Sequence, residues 1–154
     1  MRSLETKIPP VVLTLLLALA VWLLARLAPE AAAFSFGGQF ALATMCLVGG
    51  ATLSLLEVKA FKEHQTTVNP TAPESTSQVV TTGVYQYTRN PMYVGFGLAL
   101  LAVVIFVGNI FSVLVVPVYL AYMNRFQIEP EERALRAKFG EPFLAYMAAV
   151  RRWL

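Results

Sequence analysis

The sequence predicts an all-α integral membrane protein with about four transmembrane helices, a tight C-terminal helical hairpin, and cytoplasmic or interfacial helices at its C-terminal end. Of its 154 residues, 57% are hydrophobic and 14% are charged, whereas a soluble domain has about 45–50% apolar and about 25% charged residues. The mean hydropathy is +0.62, and the apolar residues fall in long blocks. This length and pattern indicate one membrane-embedded domain over residues 1–154.

The apolar blocks define the predicted spans. The first, from Pro9 to Ala28, has the length that crosses about 30 Å of hydrocarbon, and it is too long for the apolar core of a cleaved signal peptide. Gly108 and Asn109 alone separate the last two blocks, so we expect a tight antiparallel hairpin, and Pro117 should kink its second helix. The predicted spans are residues 9–28, 40–57, 93–107 and 110–123, with a cytoplasmic loop over 58–92 and a cytoplasmic tail over 124–154.

The small residues of the second span constrain helix packing, and the single cysteine and histidine constrain the kinds of site that the chain can form. Gly49, Gly50 and Ala51 in the second span should let a neighbouring helix approach closely. Cys46 is the one cysteine and His64 the one histidine, which excludes an intramolecular disulfide and a metal site built from several such ligands. Both residues are interpreted as structural or incidental.

The positive charges are distributed unequally across this topology. One side of the membrane carries only Arg26, at the end of the first span. Because cytoplasmic segments are enriched in Lys and Arg, the side with the other cations is predicted to be cytoplasmic, together with both termini. Those eleven residues are Arg2, Lys7, Lys59, Lys62, Arg89, Arg125, Arg133, Arg136, Lys138, Arg151 and Arg152.

The cytoplasmic loop ends in a helix-start signal. Asn90-Pro91 precedes the third span, and proline suits the first turn of a helix. The amides and the positive dipole end there are able to receive an anionic group. The alternative interpretation is a capped transmembrane helix with an interfacial Arg89 and Tyr93.

The tail repeats that signal. Glu129-Pro130 predicts a helix that Gly140 ends, and Pro142 begins another helix with an apolar stripe and basic residues suited to a membrane surface. Glu131 and Glu132 alone would be ordinary charges of a first helical turn. The predicted hairpin, however, brings 125–132 to face 90–93 across one small site.

These residues resemble the isoprenylcysteine carboxyl methyltransferase family in its short bacterial form, which is also similar to phospholipid N-methyltransferases. The resemblance covers residues 66–154. It depends on Thr67-Val68-Asn69-Pro70, on Thr81-x-Gly83-Val84-Tyr85-x-Tyr87-x-Arg89-Asn90-Pro91-Met92-Tyr93-x-Gly95, and on Glu131-Glu132-x-x-Leu135 followed by Phe139-Gly140 and Tyr146.

The resemblance implies a membrane-embedded methyltransferase that uses S-adenosyl-L-methionine, releases S-adenosyl-L-homocysteine, and methylates a lipid or prenylated acceptor arriving from the bilayer. It implies a bacterial inner membrane, a pocket closed by the C-terminal segment, and no nucleic acid, metal or protein partner. The cofactor-binding residues that it implies are Asn69, Ser77, Gln78, Val79, Val80, Tyr85, Arg89, Asn90, Pro91, Met92, Tyr93 and Glu131.

Two positions depart from the eukaryotic pattern. Asn90 stands where eukaryotic members have His, and Gln127 stands where they have an Arg linked to the substrate. Arg125 is the nearest cation to replace that Arg, and Glu132 joins it as the second catalytic candidate.

The reaction chemistry agrees with the residues that are present. Methyl transfer from a sulfonium to a carboxylate needs alignment and exclusion of water but no general base. An amine acceptor would instead need a proton acceptor, for which Glu131, Glu132 and Tyr93 are available.

Two other classes of protein remain as alternatives. A membrane reductase related to sterol reductases would need a nicotinamide site, and the sequence contains no glycine-rich phosphate fingerprint. A small four-span transporter would place an acidic residue well inside a span, whereas the nearest one, Glu57, lies at the end of the second span.

Overall fold

The computed structural model describes residues 5–63 and 78–154, and it confirms the all-α membrane fold. Short 3-10 turns lie at Glu30–Ala32, Gly83–Gln86 and Phe111–Leu114, and a π-helical segment covers Met123–Ile128. The α-helices are α1 (Pro10–Leu27), α2 (Gln39–Glu63), α3 (Pro91–Val107), α4 (Val115–Tyr122), α5 (Glu129–Phe139) and α6 (Glu141–Ala149).

Three helical stretches in the described ranges are long and apolar enough to cross a bilayer. They are α1, α2 and the continuous helical stretch from Phe111 to Phe139, while α3 is a shorter apolar helix of 17 residues. Large apolar side chains point outward along α1 and α2, among them Leu15, Leu16, Met45 and Leu55. Such exposed apolar faces are typical of surfaces that contact lipid.

The helices α2 and α3 form the most extensive contact of the fold. Gly50 and Gly95 lie at their crossing, where a Cβ atom built on Gly50 would stand 2.5 Å from the Gly95 carbonyl oxygen. This confirms the predicted close helix approach at Gly50, whereas Gly49 meets nothing closer than 4.0 Å and Ala51 is exposed.

The predicted hairpin of α3 and the following helix is confirmed, with Gly108 in the left-handed conformation after α3. This turn pairs with the connection between α1 and α2, since the amide of Phe34 donates to the Gly108 carbonyl at 2.7 Å. Pro117 falls in the first turn of α4, directly after a 3-10 turn. A proline in the first turn of a helix removes no hydrogen bond of that helix, and the predicted kink at Pro117 stays a prediction.

The expected fresh helix start at Glu129-Pro130 is wrong. The helix continues from α4 into α5 through the π segment, whose wider turns accommodate the missing N–H of Pro130. Gly140, with a φ of +59°, does separate α5 from α6 as predicted.

Two hydrophobic clusters hold the described residues together. The larger joins α1, α3 and α4 around side chains such as Leu100 and Tyr119. The smaller contains Phe143 and Tyr146 of α6, which pack against Val80 and Tyr85. The apolar stripe of α6 therefore covers the protein's own 78–85 segment, whereas by itself it resembled a membrane-surface helix.

Candidate active site at the start of α3

Asn90 and Pro91 begin α3 as predicted, and a carboxylate from another helix meets that start. Glu57 of α2 accepts a hydrogen bond from the backbone N–H of Met92. The expected position for an external anion at this helix end is thus taken by a side chain of the protein itself. A carboxylate at the positive end of a helix dipole is electrostatically favourable.

The same carboxylate holds Tyr85. The Tyr85 hydroxyl donates to Oε1 of Glu57 at 2.7 Å, and the Tyr85 carbonyl accepts from the hydroxyl of Tyr146 at 2.8 Å. Burial, followed by the charge of Glu57, raises the pKa of Tyr85 well above its ordinary value. Burial also raises the pKa of Tyr146. Both hydroxyls therefore stay protonated and act as donors.

One helical turn into α3, Tyr93 meets the first turn of α5. Oε1 of Glu131 accepts from the Tyr93 hydroxyl at 2.5 Å and from Nε2 of Gln127 at 2.5 Å. The Tyr93 carbonyl in turn accepts from the hydroxyl of Tyr119 at 2.7 Å. The hairpin therefore brings 90–93 and the 127–132 stretch together, as its geometry predicts.

Glu132 lies next to Glu131 but has cationic partners. Its carboxylate is 3.3 Å from Nη2 of Arg89 and accepts from Nε and Nη2 of Arg152 at 3.2 and 2.7 Å. Burial lowers the pKa of Arg89, and the charge of Glu132 opposes this shift. Nε and Nη1 of Arg89 are buried without a hydrogen-bond partner in the described part of the chain.

The last residues of the chain cover this ion pair. The Arg152 carbonyl accepts from Nδ2 of Asn90 at 2.8 Å and from the hydroxyl of Thr88 at 3.3 Å. The indole N–H of Trp153 donates to Oδ1 of Asn124 at 3.1 Å. These C-terminal residues were expected to face lipid headgroups, but Arg152 and Trp153 turn inward.

The remaining predicted residues lie at the edge of the site or outside it. Val80 is buried against Tyr85, with Val79 partly buried beside it, while Gln78 is exposed. Asn69 and Ser77 lie outside the described residues. Arg125 forms an ion pair at 3.1 Å with Glu129, and its side chain is 49% exposed.

Sequence reasoning missed Glu57, Arg152 and Asn124 as contributors to the site. Glu57 had a usable signal, because a lone carboxylate at the end of an apolar span needs a partner. Arg152 had none, since a basic residue beside Trp153 at a chain end is equally typical of a membrane interface.

The comparisons with known proteins agree with this architecture. The family model described as phospholipid methyltransferase matches residues 38–142, which include α2 and every predicted site residue. An uncharacterized protein of Haemophilus influenzae is 41% identical over 63 residues, which are 41% of this chain and all of that relative. No solved structure matches the chain significantly. With more than half of its length inside the match, and with the motif residues gathered at the start of α3, the chain belongs to the phospholipid methyltransferase family.

Proposed function

We propose that this chain is an S-adenosyl-L-methionine-dependent methyltransferase that methylates a lipophilic acceptor reaching the site from the bilayer. The observation that carries the proposal is the contact between Tyr93 and Glu131 at 2.5 Å. It joins the two segments whose sequence motifs imply a cofactor site, and it does so at the polar end of an apolar helical hairpin.

The residues at the start of α3 suit this cofactor. Its sulfonium and ammonium groups are cationic, and Glu131 has neutral hydrogen-bond partners in Tyr93 and Gln127. Its carboxylate needs donors, and Arg89 has two buried N–H groups without a partner among the described residues. Charge-assisted hydrogen bonds of this kind are stronger than neutral ones.

The cofactor, when bound, supplies an activated methyl group. The protein's task is then to align the acceptor and exclude water. Tyr93 and Gln127 hold the Glu131 carboxylate in place, and the segment ending in Trp153 covers the site. Glu132 is engaged by arginines through both oxygens, so we propose that it positions Arg89. Arg125, half-exposed beside Glu129, is proposed as the cation that meets an acidic acceptor.

A carboxylate on a prenylated thiol is the first acceptor class, following the resemblance to isoprenylcysteine carboxyl methyltransferases. A phospholipid amine is the second, and one observation favours it. Gln127, at the position of the substrate-linked Arg in eukaryotic relatives, donates its amide to Glu131 at 2.5 Å and presents no cation to a carboxylate. An amine acceptor must lose a proton. In the described part of the chain, Glu132 pairs with arginines, whereas Glu131 forms no ion pair and is the carboxylate available to accept that proton.

The first test is calorimetric binding of S-adenosyl-L-methionine and S-adenosyl-L-homocysteine to detergent-purified protein, repeated in lipid nanodiscs. We expect saturable binding of both, and weaker binding in Tyr93→Phe and Glu131→Gln with unchanged thermal unfolding. Tyr87→Phe is the matched control, because Tyr87 belongs to the same motif but is 75% exposed. A folded protein that binds neither compound in either environment would refute the proposed function.

The acceptor class is tested by methyl transfer from labelled cofactor. Vesicles containing phosphatidylethanolamine and micelles containing a prenylated cysteine are presented separately to the same preparation. Label recovered in the phospholipid supports the amine acceptor, and base-labile label on the prenylated cysteine supports the carboxylate acceptor.

A further inference from the structure

Glu57 lies on α2, which is inside the region that the family model matches but outside the sequence motifs of residues 66–154. Its side chain nevertheless touches two parts of the candidate site. We propose that Glu57 is a positioning residue that holds Tyr85 and the start of α3 in the arrangement that binds the cofactor. This inference rests on the proposed function, since the arrangement it describes is the proposed cofactor site.

The carboxylate of Glu57 uses each oxygen for a different segment. Oε1 accepts from the Tyr85 hydroxyl at 2.7 Å, and Oε2 accepts from the backbone N–H of Met92. The donors lie 28 and 35 residues further along the chain. Glu57 is therefore the link between the 3-10 turn at Gly83–Gln86 and the first turn of α3.

Both hydrogen bonds are sheltered from water. Glu57 is 8% exposed and Tyr85 is 7% exposed. Within residues 5–63 and 78–154, no Lys or Arg forms an ion pair with Glu57. Its partners are a phenol and a helix N-terminus, so its role in the fold is to accept these two hydrogen bonds.

Removal of the carboxylate would act on the site more than on the helix packing. The α2–α3 contact is extensive and is tight where Gly50 meets Gly95. Gly50 lies about two turns from Glu57 along α2. The loss would instead leave the Met92 N–H and the Tyr85 hydroxyl without their acceptor. Tyr85 also accepts from Tyr146, so its displacement would reach α6.

The test compares cofactor binding among four proteins: the unaltered chain, Glu57→Ala, Glu57→Gln and Glu63→Gln. We expect Glu57→Ala to weaken binding of S-adenosyl-L-methionine and S-adenosyl-L-homocysteine by about tenfold or more. Glu57→Gln should restore most of it, because its carbonyl can accept from Met92 and its amide can donate to the Tyr85 oxygen. Glu63→Gln is the matched control, on the same helix but paired with exposed Lys59 at 3.7 Å.

A double variant separates positioning from a general loss of stability. If Glu57 acts through Tyr85, then Glu57→Ala combined with Tyr85→Phe should bind the cofactor as Glu57→Ala does, within about twofold. If the loss of cofactor affinity in the double variant equals the product of the losses in the two single variants, the proposal is overturned. A Glu57→Ala protein that binds like Glu63→Gln, or a Glu57→Gln protein that binds no better than Glu57→Ala, would also overturn it.

Amide hydrogen exchange of residues 88–94 gives a readout that needs no ligand. We expect faster exchange in Glu57→Ala and near-native exchange in Glu57→Gln, with native exchange in Glu63→Gln. If the unaltered protein binds neither compound, the proposed function fails, and the exchange result alone shows whether Glu57 holds this segment. Unchanged exchange in Glu57→Ala would overturn the inference.

Discussion

At the candidate site, the carboxylate of Glu132 is paired with two arginines, Arg89 and Arg152. The carboxylate side chain is 9% exposed, against 11% for Arg89 and 32% for Arg152. Removing the negative partner would leave two sheltered cations close together, and breaking a buried ion pair is far more costly than breaking an exposed one.

We therefore expect Glu132→Gln to lower the free energy of unfolding by about 3 kcal/mol. The measurement is denaturant or thermal unfolding of the detergent-purified protein. Glu129→Gln is the control, because Glu129 pairs with Arg125 at 3.1 Å on the exposed side of the same helix, and such surface pairs contribute about 0–1 kcal/mol. Equal stability of the two variants would contradict a stabilising ion pair between Glu132 and its two arginines.

At the scale of single residues, sequence reasoning succeeded where the hairpin determines proximity. A two-residue turn aligns the ends of its helices, so Tyr93 was expected near Glu131, and they are hydrogen-bonded at 2.5 Å. It failed for Arg152, because no periodicity links the chain terminus to Glu132, which lies 20 residues earlier. Only the tertiary fold decides whether such a basic residue turns inward or toward lipid.

At the scale of elements, the crossing of α2 and α3 depends on two glycines, Gly50 of α2 and Gly95 of α3. A Cβ on Gly50 would lie 2.5 Å from the Gly95 carbonyl oxygen and 3.2 Å from Cβ of Leu98. The neighbouring Gly49 meets nothing closer than a Leu98 methyl at 4.0 Å. Gly49 and Gly50 therefore differ in packing although they are adjacent in sequence.

We expect Gly50→Ala to force α2 and α3 apart and to lower the free energy of unfolding by about 1–3 kcal/mol. Gly49→Ala should be neutral or slightly stabilising, because alanine favours helix over glycine. Thermal unfolding of the two variants in one detergent checks this, and a Gly50→Ala protein as stable as Gly49→Ala would refute close packing at the crossing.

The start of α3 could be predicted from sequence and the start of α5 could not. Asn90-Pro91 follows a polar segment, and the helix begins where proline fits its first turn. Pro130 presents the same local signal, but the helix from α4 passes through a π segment and continues. Packing of Met123 and Ile128 in the core keeps the chain helical there, and a local signal does not report such packing.

At the scale of the whole molecule, the two ends of the helical bundle differ in polarity. One end holds the site, and there the N-terminal segment is tied to the helical stretch after α4, since the Thr6 amide donates to the Phe126 carbonyl at 2.9 Å. The other end holds the turn at 108–109 and the connection between α1 and α2, paired through Ala33 and Asn109. The unequal distribution of Lys and Arg in the sequence predicts that the site end faces the cytoplasm.

This topology is testable through the one natural cysteine. Cys46 lies within α2, so we expect a membrane-impermeant maleimide to leave the unaltered chain unlabelled. Glu141→Cys at the site end and Glu30→Cys at the turn end replace two exposed residues of the same type. We expect Glu30→Cys to be labelled in intact cells and Glu141→Cys to be labelled only in inverted membrane vesicles.

The number of crossings needs its own test, because α3 has only 17 residues. Labelling at the turn between α3 and α4 provides that test. If the hairpin of α3 and α4 entered the bilayer without crossing it, its turn would be shielded from reagent on both sides, while Glu30→Cys would still be labelled in cells. Asn109→Cys would remove the side-chain oxygen that accepts a hydrogen bond from the Phe111 amide. Ile110→Cys replaces a residue that is 56% exposed and is therefore the better probe of the turn. Four crossings require that both Ile110→Cys and Glu30→Cys be labelled in intact cells. An Ile110→Cys protein that is unlabelled from both sides, or that is labelled from the cytoplasmic side, would refute four crossings.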